Sequence, residues 1–399
     1  MTTTNDNSDE TKLIDSTTPS IYNAVAESTF IKENSDDQVH LTITKNYDYV
    51  MQLCGIEMFV QLALSNIDPA FKVKYVKGTY YANKTKIGAH LSTMMWAPSR
   101  KMIDGLMPGH SLSPNVNLFI DTAESFGLDL NTPIYTTDQH GRPYYEHINA
   151  FVDQLRRNSE GFAYKSDLKR RLDKANKNHQ SLKEYFDRLF EYYARLIIVK
   201  VDLSYLKEFK HSATIDIARD HFKRLLDNRK NNKIFEHLVG YAWGLEFNVI
   251  GETYDQGGYH YHCLFIFDGE QKEPLDTIIG DSVGNYWTDN ITDGKGHFNN
   301  CNRDKERHAR EGILGIGAIN RDDTQMRNNL IEKVAPYITK KGLFFEIKSS
   351  NCKQDGFDTF GRGEMPPPME EGNLHPISMK KLRAIRMKEE ELQIEASRR

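Results

Sequence analysis

Apolar positions recur with two different periods along this chain, and the change of period separates its elements. Spacings of three and four appear in Tyr49-Val50-Leu53-Met58-Leu62, in Ile148-Phe151-Val152-Leu155 and in Leu182-Tyr185-Phe186-Leu189, which predicts helices. Pro98, Pro108, Pro114, Pro133 and Pro143 break the intervening stretches into loops. Residues 39–185 therefore read as a mainly helical N-terminal domain. Residues 1–38 are rich in Thr, Ser, Asn and Asp and poor in apolar residues, the composition of a disordered acidic tail.

After Arg195 the pattern sharpens. Leu196–Val201 is a β-rich run ending at Asp202, and Ala213–Asn228 has helical spacing through Ile215, Ala218, Phe222, Leu225 and Leu226. Leu238–Val249 is extended and aromatic. A loop through Asp255-Gln256-Gly257 leads into a second extended run, Tyr259–Asp268, closed by Asp268-Gly269. Leu275–Trp287 reads as partly helical, Gly296–Asn302 as a loop and Gly312–Ile319 as a short strand. Gln325–Lys341 reads as a helix interrupted by Pro336, and Leu343–Lys348 as a last strand. The order is β-α-β-β-α-β with additions, an α+β split βαβ arrangement in which helices cover one face of an antiparallel sheet. This domain is expected over residues 186–365. A Pro-rich linker and a charged, helix-favouring C-terminal segment follow over residues 366–399.

Composition narrows the setting. No long apolar run is present, and the N-terminus is polar, so neither a membrane span nor a signal peptide is indicated. Cys54, Cys263, Cys301 and Cys352 form no Cys-x-x-Cys, which argues for a reducing, cytoplasmic setting without a zinc knuckle. The formal net charge of -4 conceals an asymmetry: residues 1–38 carry eight acids and two lysines, whereas residues 153–233 carry 20 basic and 12 acidic residues. Such a local excess can follow a phosphate backbone, or simply be a solvated helix face.

The chemistry-bearing stretch is Gly257-Gly-Tyr-His-Tyr-His-Cys-Leu-Phe-Ile-Phe-Asp-Gly269. His260 and His262 are two apart on a strand, so their imidazoles share one face and can hold a metal ion. With 14 histidines in the chain, His-x-His by itself is weak and fits a core or surface pair equally. A third ligand is expected from Glu246 on the preceding strand, with Glu252 in the connecting loop as the alternative. Two imidazoles and a carboxylate suit Mg2+ or Mn2+ in phosphoryl chemistry. Tyr337-Ile-Thr-Lys340 places a phenol and an ammonium on one helical face, with Lys341 beside them, a pairing suited to attack on a phosphate. Tyr81-Ala-Asn-Lys84 has the same spacing outside the βαββαβ region. It also ends a stretch, Gly78–Thr85, that imitates a phosphate loop but has Asn83 where the second glycine is needed.

These segments together resemble the HUH endonuclease superfamily of rolling-circle replication initiators. More narrowly, they resemble inovirus gene-II-like replication proteins with a YagK/YfjJ-type C-terminal domain. The resemblance rests on Arg195–Tyr205, Gly258–Gly269 and Tyr337–Lys340 in order, with Gly284–Trp287, Phe298–Asn302 and Gly315–Gly317 as further likenesses. It covers residues 185–365 and departs from the family at Tyr261, where an aliphatic residue is usual, and in a long loop before Gly257. It implies an RRM-like HUH fold and a divalent ion held by His260, His262 and Glu246. Tyr337 would nick single-stranded origin DNA to leave a 5′-phosphotyrosine, while Lys340 balances charge on the phosphate. The setting would be a phage or prophage in a bacterial cytoplasm. A host helicase would be the partner, since no Walker motif is present.

A transposase or plasmid relaxase shares this chemistry. A non-catalytic RRM-like module would instead use Tyr259 and Tyr261 to stack on bases. An ordinary metal-dependent hydrolase is a third reading.

Overall fold

The computed structural model describes residues 31–35, 38–42, 45–94, 98–106, 110–210, 212–248, 258–272, 275–347 and 358–368. The expected tail up to residue 30, the loop carrying Glu252 and the charged segment from residue 369 lie outside the described residues. Ile31–Ser35 (β1) pairs antiparallel with Gln38–Thr42 (β2), so the last part of the stretch read as tail is a strand. The chain forms two compact units, divided between Ala175 and Asn176. Phe247, Asn248, Gly258 and Lys341–Ile347 return to the first unit. A boundary expected at residue 185 thus falls ten residues earlier, inside the continuous helix Phe162–Tyr192, where no change of composition marks it.

In the first unit the periodic segments form helices, among them Lys45–Ser65, Pro114–Phe126 and Tyr144–Ser159. Ser113 caps the second by accepting from the Val116 N–H, Pro114 opens it, and Gly127 closes it in the left-handed region. Phe59 packs edge-on against Phe119 and parallel to Phe151, joining the three helices. Strands are present as well. Phe71–Val76 (β3) and Thr79–Lys84 (β4) form a hairpin, and His110–Leu112 (β5) pairs antiparallel with Phe345–Ile347. That last pairing corrects an expectation: Phe345–Ile347 does not complete the βαββαβ sheet, because its hydrogen bonds go to β5.

The second unit is built on a six-stranded sheet. Its members are Arg195–Tyr205 (β6), Leu238–Asn248 (β7), Gly258–Asp268 (β8), Gly296–Asn300 (β9), Gly317–Asn320 (β10) and the edge strand Phe360–Arg362. The order is β10-β6-β8-β7-edge strand, with β9 also on β6. Both β9 and β10 lie antiparallel to β6: β10 pairs Arg195–Ile198 and β9 pairs Val201–Tyr205. Gly296–Asn300 is therefore a strand, although its Gly/Asn-rich sequence reads as a loop. Between β9 and β10 the edge of β6 would be bare at Lys200. Asn302 closes the gap, accepting from the Lys200 N–H at 2.8 Å and donating to the Ile198 carbonyl at 2.9 Å.

The two faces of this sheet differ. On one, Val199, Val201, Leu203, Phe265 and Tyr261 are buried, and the helix Ile215–Asn228 presents Phe222 to Tyr261, ring on ring at 3.9 Å. On the other, Leu196, Ile198, Leu264, Ile266 and Ala242 pack against the helical residues Leu182, Phe186, Val334 and Ile338. Helices thus lie on both faces rather than one. Mixed helix and antiparallel sheet make the unit α+β. No described helix is long and apolar enough to cross a membrane.

Candidate metal centre

Asp202 faces His262 across the β6–β8 ladder, and Lys200 faces Leu264. Strand periodicity therefore puts Lys200, Asp202, His260 and His262 on the face that carries the Leu196–Ile266 cluster, beyond its apolar end. β7 adds Glu246 from the other side of β8. Glu246 Oε2 lies 2.7 Å from His262 Nε2 and 3.2 Å from His260 Nε2. One ligand atom from each of the three can be chosen so that all lie within 4.8 Å of one another. Donors about 2.1 Å from a common ion stand roughly 3–4 Å apart; the Glu246–His260 distance meets that, and a cation between the three would open the 2.7 Å Glu246–His262 hydrogen bond slightly. All are largely shielded: the side chains of His260, His262 and Glu246 are 10%, 12% and 7% exposed.

The structure thus assembles the three expected ligands, Glu246, His260 and His262, whereas Glu252 lies outside the described residues. Behind them stands a residue that the sequence pattern did not single out, Asp202. Asp202 Oδ1 lies 2.7 Å from His262 Nδ1. With Nδ1–H donated to Asp202, Nε2 faces Glu246 and the centre, the orientation a carboxylate behind a metal-binding imidazole imposes. Asp202 is itself held by Lys200 Nζ at 3.1 Å and by the Cys301 thiol at 3.3 Å. Burial would raise the Asp202 carboxyl, but the adjacent His262 and Lys200 charges and hydrogen bonds hold it well below the usual carboxylate range. The same burial, aided by Asp202, pushes the Cys301 thiol up to about 12, so it serves as a neutral donor. An aspartate ending a β-rich run, in step with the histidine face, was the available signal.

Tyr337 and Lys340 stand on a segment shaped by Pro336. The helix Thr324–Asn329 widens into a π turn over Leu330–Val334, where the Ala335 N–H reaches back to the Leu330 carbonyl at 2.9 Å. A new turn, Pro336–Thr339, then starts on the proline, which has no N–H to donate. This turn is seated on β7 at Gly244, where a Cβ would stand 2.8 Å from the Ile338 carbonyl oxygen. Gly244 precedes Glu246 by two residues on the same face. Tyr337 is half-buried. Lys340 is buried, with no hydrogen-bond partner for Nζ, and burial lowers its basicity. The His179 imidazole, whose Nδ1 is 3.4 Å from Thr339 Oγ1, is pushed down to about 4 by burial and by the Lys340 and Lys183 charges.

Tyr259 and Tyr261 are both buried, and Tyr261 is stacked on Phe222, so neither offers a platform to a nucleic-acid base. Tyr81 and Lys84, with the spacing of Tyr337 and Lys340, lie on the exposed strand β4 and far in sequence from Glu246, His260 and His262.

Among known proteins, residues 158–293 match the family model of the YagK/YfjJ C-terminal domain. No curated protein and no solved structure matches the chain. The matched segment is about a third of the chain and contains Asp202, Glu246, His260 and His262, but it ends before Tyr337. In that segment the chain is similar to the YagK/YfjJ C-terminal domain family.

Proposed function

We propose that the second unit is an HUH-type nicking endonuclease that opens single-stranded DNA at an origin and starts rolling-circle replication of a phage or prophage-like element. The observation that carries this reading is the cluster of Glu246, His260 and His262 on one sheet face. The turn bearing Tyr337 sits two residues along the same strand. The strand order, with β8 inserted between β6 and β7, supports it, since a split βαβ unit arranges its strands that way.

His260, His262 and Glu246 would hold Mg2+ or Mn2+, and the Asp202 contact at His262 Nδ1 turns Nε2 toward Glu246. The bound ion would supply Lewis-acid polarisation of the scissile phosphate. The Tyr337 phenol oxygen attacks phosphorus and the bond to the 3′ oxygen breaks. The phenolic proton leaves to solvent and the departing oxygen gains one. The products are a 5′-phosphotyrosine and a primer 3′-hydroxyl. Lys340 is assigned to charge balance, and its Nζ, with no hydrogen-bond partner among the described residues, has capacity for a phosphate oxygen. One tyrosine attacks once, so rejoining needs a second copy or a hydroxyl acceptor. Unwinding falls to a host helicase in the bacterial cytoplasm.

The test is covalent capture. With Mn2+ and labelled single-stranded hairpin oligonucleotides, the wild-type chain should yield an adduct that survives denaturation, and Tyr337→Phe should yield none. An equal adduct from Tyr337→Phe would refute the assignment. Cutting without an adduct would indicate a hydrolase, and binding only under native conditions would indicate a non-catalytic module.

A further inference from the structure

The β3–β4 hairpin of the first unit has no part in the proposed chemistry, yet it is the most unusual surface among the described residues. Its six-residue strands pair from Phe71 with Lys84 up to Val76 with Thr79. Lys77 and Gly78 make the connection, both at positive φ, 47° and 81°. A two-residue turn with positive φ at both positions suits the strand twist but favours Asn or Asp followed by Gly. Lysine there adopts a strained conformation and puts a cation at the tip.

The base is anchored and the shaft is not. Phe71 is buried, and its N–H and carbonyl both bond the Asn149 side chain, at 2.8 and 2.9 Å. Beyond it, every residue from Lys72 to Tyr81 is exposed, including Tyr75 at 63%, Tyr80 at 61% and Tyr81 at 50%. Tyr75 and Tyr80 lie against each other at 4.7 Å between ring centroids, and Tyr81 stands on the opposite face. The pairing sorts the shaft into two faces. Val73, Tyr75, Tyr80 and Ala82 lie on one, and Tyr135 Oη accepts the Ala82 N–H at 3.3 Å. Lys72, Lys74, Val76, Thr79, Tyr81 and Asn83 lie on the other, and all six are exposed. The charge is one-sided. From Pro69 to Ile103 the sequence holds Lys72, Lys74, Lys77, Lys84, Lys86, Arg100 and Lys101 and no acid. Among the described residues, Lys72 alone of the shaft lysines has an ion pair, with Asp68.

We infer that this hairpin is a β-ribbon that enters the major groove of duplex DNA. A two-stranded ribbon fits a groove about 12 Å wide, and strands of six residues reach roughly 20 Å along it. The Lys74–Asn83 face supplies the side chains that read base edges there, lysine for guanine and asparagine for adenine. Lys77 at the tip and Lys84 and Lys86 at the base are placed for the flanking phosphates. The inference does not depend on the Tyr337 chemistry.

The experiment measures anisotropy of a mixed-sequence 30-base-pair duplex, and of one of its single strands, titrated with the full chain at several salt concentrations. Lys74→Ala combined with Lys77→Ala should weaken duplex binding roughly tenfold near 0.1 M salt and lower the salt slope by about 1, for the one phosphate contact removed. Arg310→Ala, at an exposed position outside both basic stretches, is the control and should change neither. Both replaced lysines are exposed, so the unfolding midpoint should stay at the wild-type value. Unchanged duplex affinity and slope in the double variant would overturn the inference, as would a loss confined to the single strand. Adduct formation through Tyr337, assayed on the same preparations, should persist in the double variant, which separates this result from any failure of the nicking reading.

Discussion

Replacing Gly244 by Ala tests the link between the sheet and Tyr337, the tyrosine proposed to attack. The added Cβ would lie 2.8 Å from the Ile338 carbonyl oxygen, 3.2 Å from its Cα and 3.4 Å from its carbonyl carbon. All three are backbone atoms, so no rotamer change relieves the contact. Ordinary contact begins near 3.4 Å, so the strand and the Pro336–Thr339 turn must separate by about 0.6 Å (3.4 − 2.8). Overpacking of this kind costs about 1–3 kcal/mol, which a denaturant midpoint will register. Catalysis should suffer more. A misplacement of 1 Å costs on the order of a hundredfold, so adduct formation should slow by roughly tenfold or more. Affinity for Mn2+, measured by calorimetry, should change little, since Glu246, His260 and His262 are untouched. Wild-type adduct rates in Gly244→Ala would refute the seating of Tyr337 on β7. A loss of metal affinity matching the loss of rate would show that the strand, not the tyrosine, had moved.

Further outcomes follow from individual contacts. Asp202→Asn keeps the shape but cannot accept the His262 Nδ1 proton as strongly, so Mn2+ affinity should fall about 10- to 100-fold, while His262→Ala should abolish tight binding. In the wild type, Mn2+ at a hundred times its Kd should stabilise the fold by about 2.7 kcal/mol, and Glu246→Ala should remove that shift in the unfolding midpoint. Glu57 is buried among Ser113, Asn115 and Gln61, and burial raises its carboxyl above the ordinary value despite those hydrogen bonds. Its raised value stabilises the fold below the unfolded carboxyl range, and this is lost as pH climbs through the folded value. Denaturation midpoints of Glu57→Gln relative to wild type should therefore rise with pH from about 4.5 upward, and parallel profiles would contradict it. His179 works in the opposite direction. Held near 4, it is neutral in the fold and contributes stability above about 6.5 that is lost as pH falls toward 4. Its imidazole resonances should titrate near that lower value, and Lys340→Met should move the midpoint up.

Much of the candidate site was legible because its signals are local. A strand repeats every two residues, so His260 and His262 share a face in any fold that keeps Gly258–Asp268 extended, and helical spacing marked Ile148–Leu155 and Leu182–Leu189 in the same way. Pro336 announced a break in the helix before Tyr337, and the break is there as a π turn. Other features depend on which segment pairs with which. Gly296–Asn300 has no strand-forming composition and becomes a strand because the edge of β6 needs partners. Phe345–Ile347 has that composition and joins β5 in the other unit. The sequence by itself determined the two imidazoles on one face and a tyrosine and lysine three apart. Only the tertiary structure decided that Glu246 completes the cluster, that Asp202 orients His262 and that Lys340 is buried. The physical reason is register: a one-residue slip between strands turns every side chain to the opposite face, and register is set by hydrogen-bonded pairing across the sheet, not by the periodicity of any single strand.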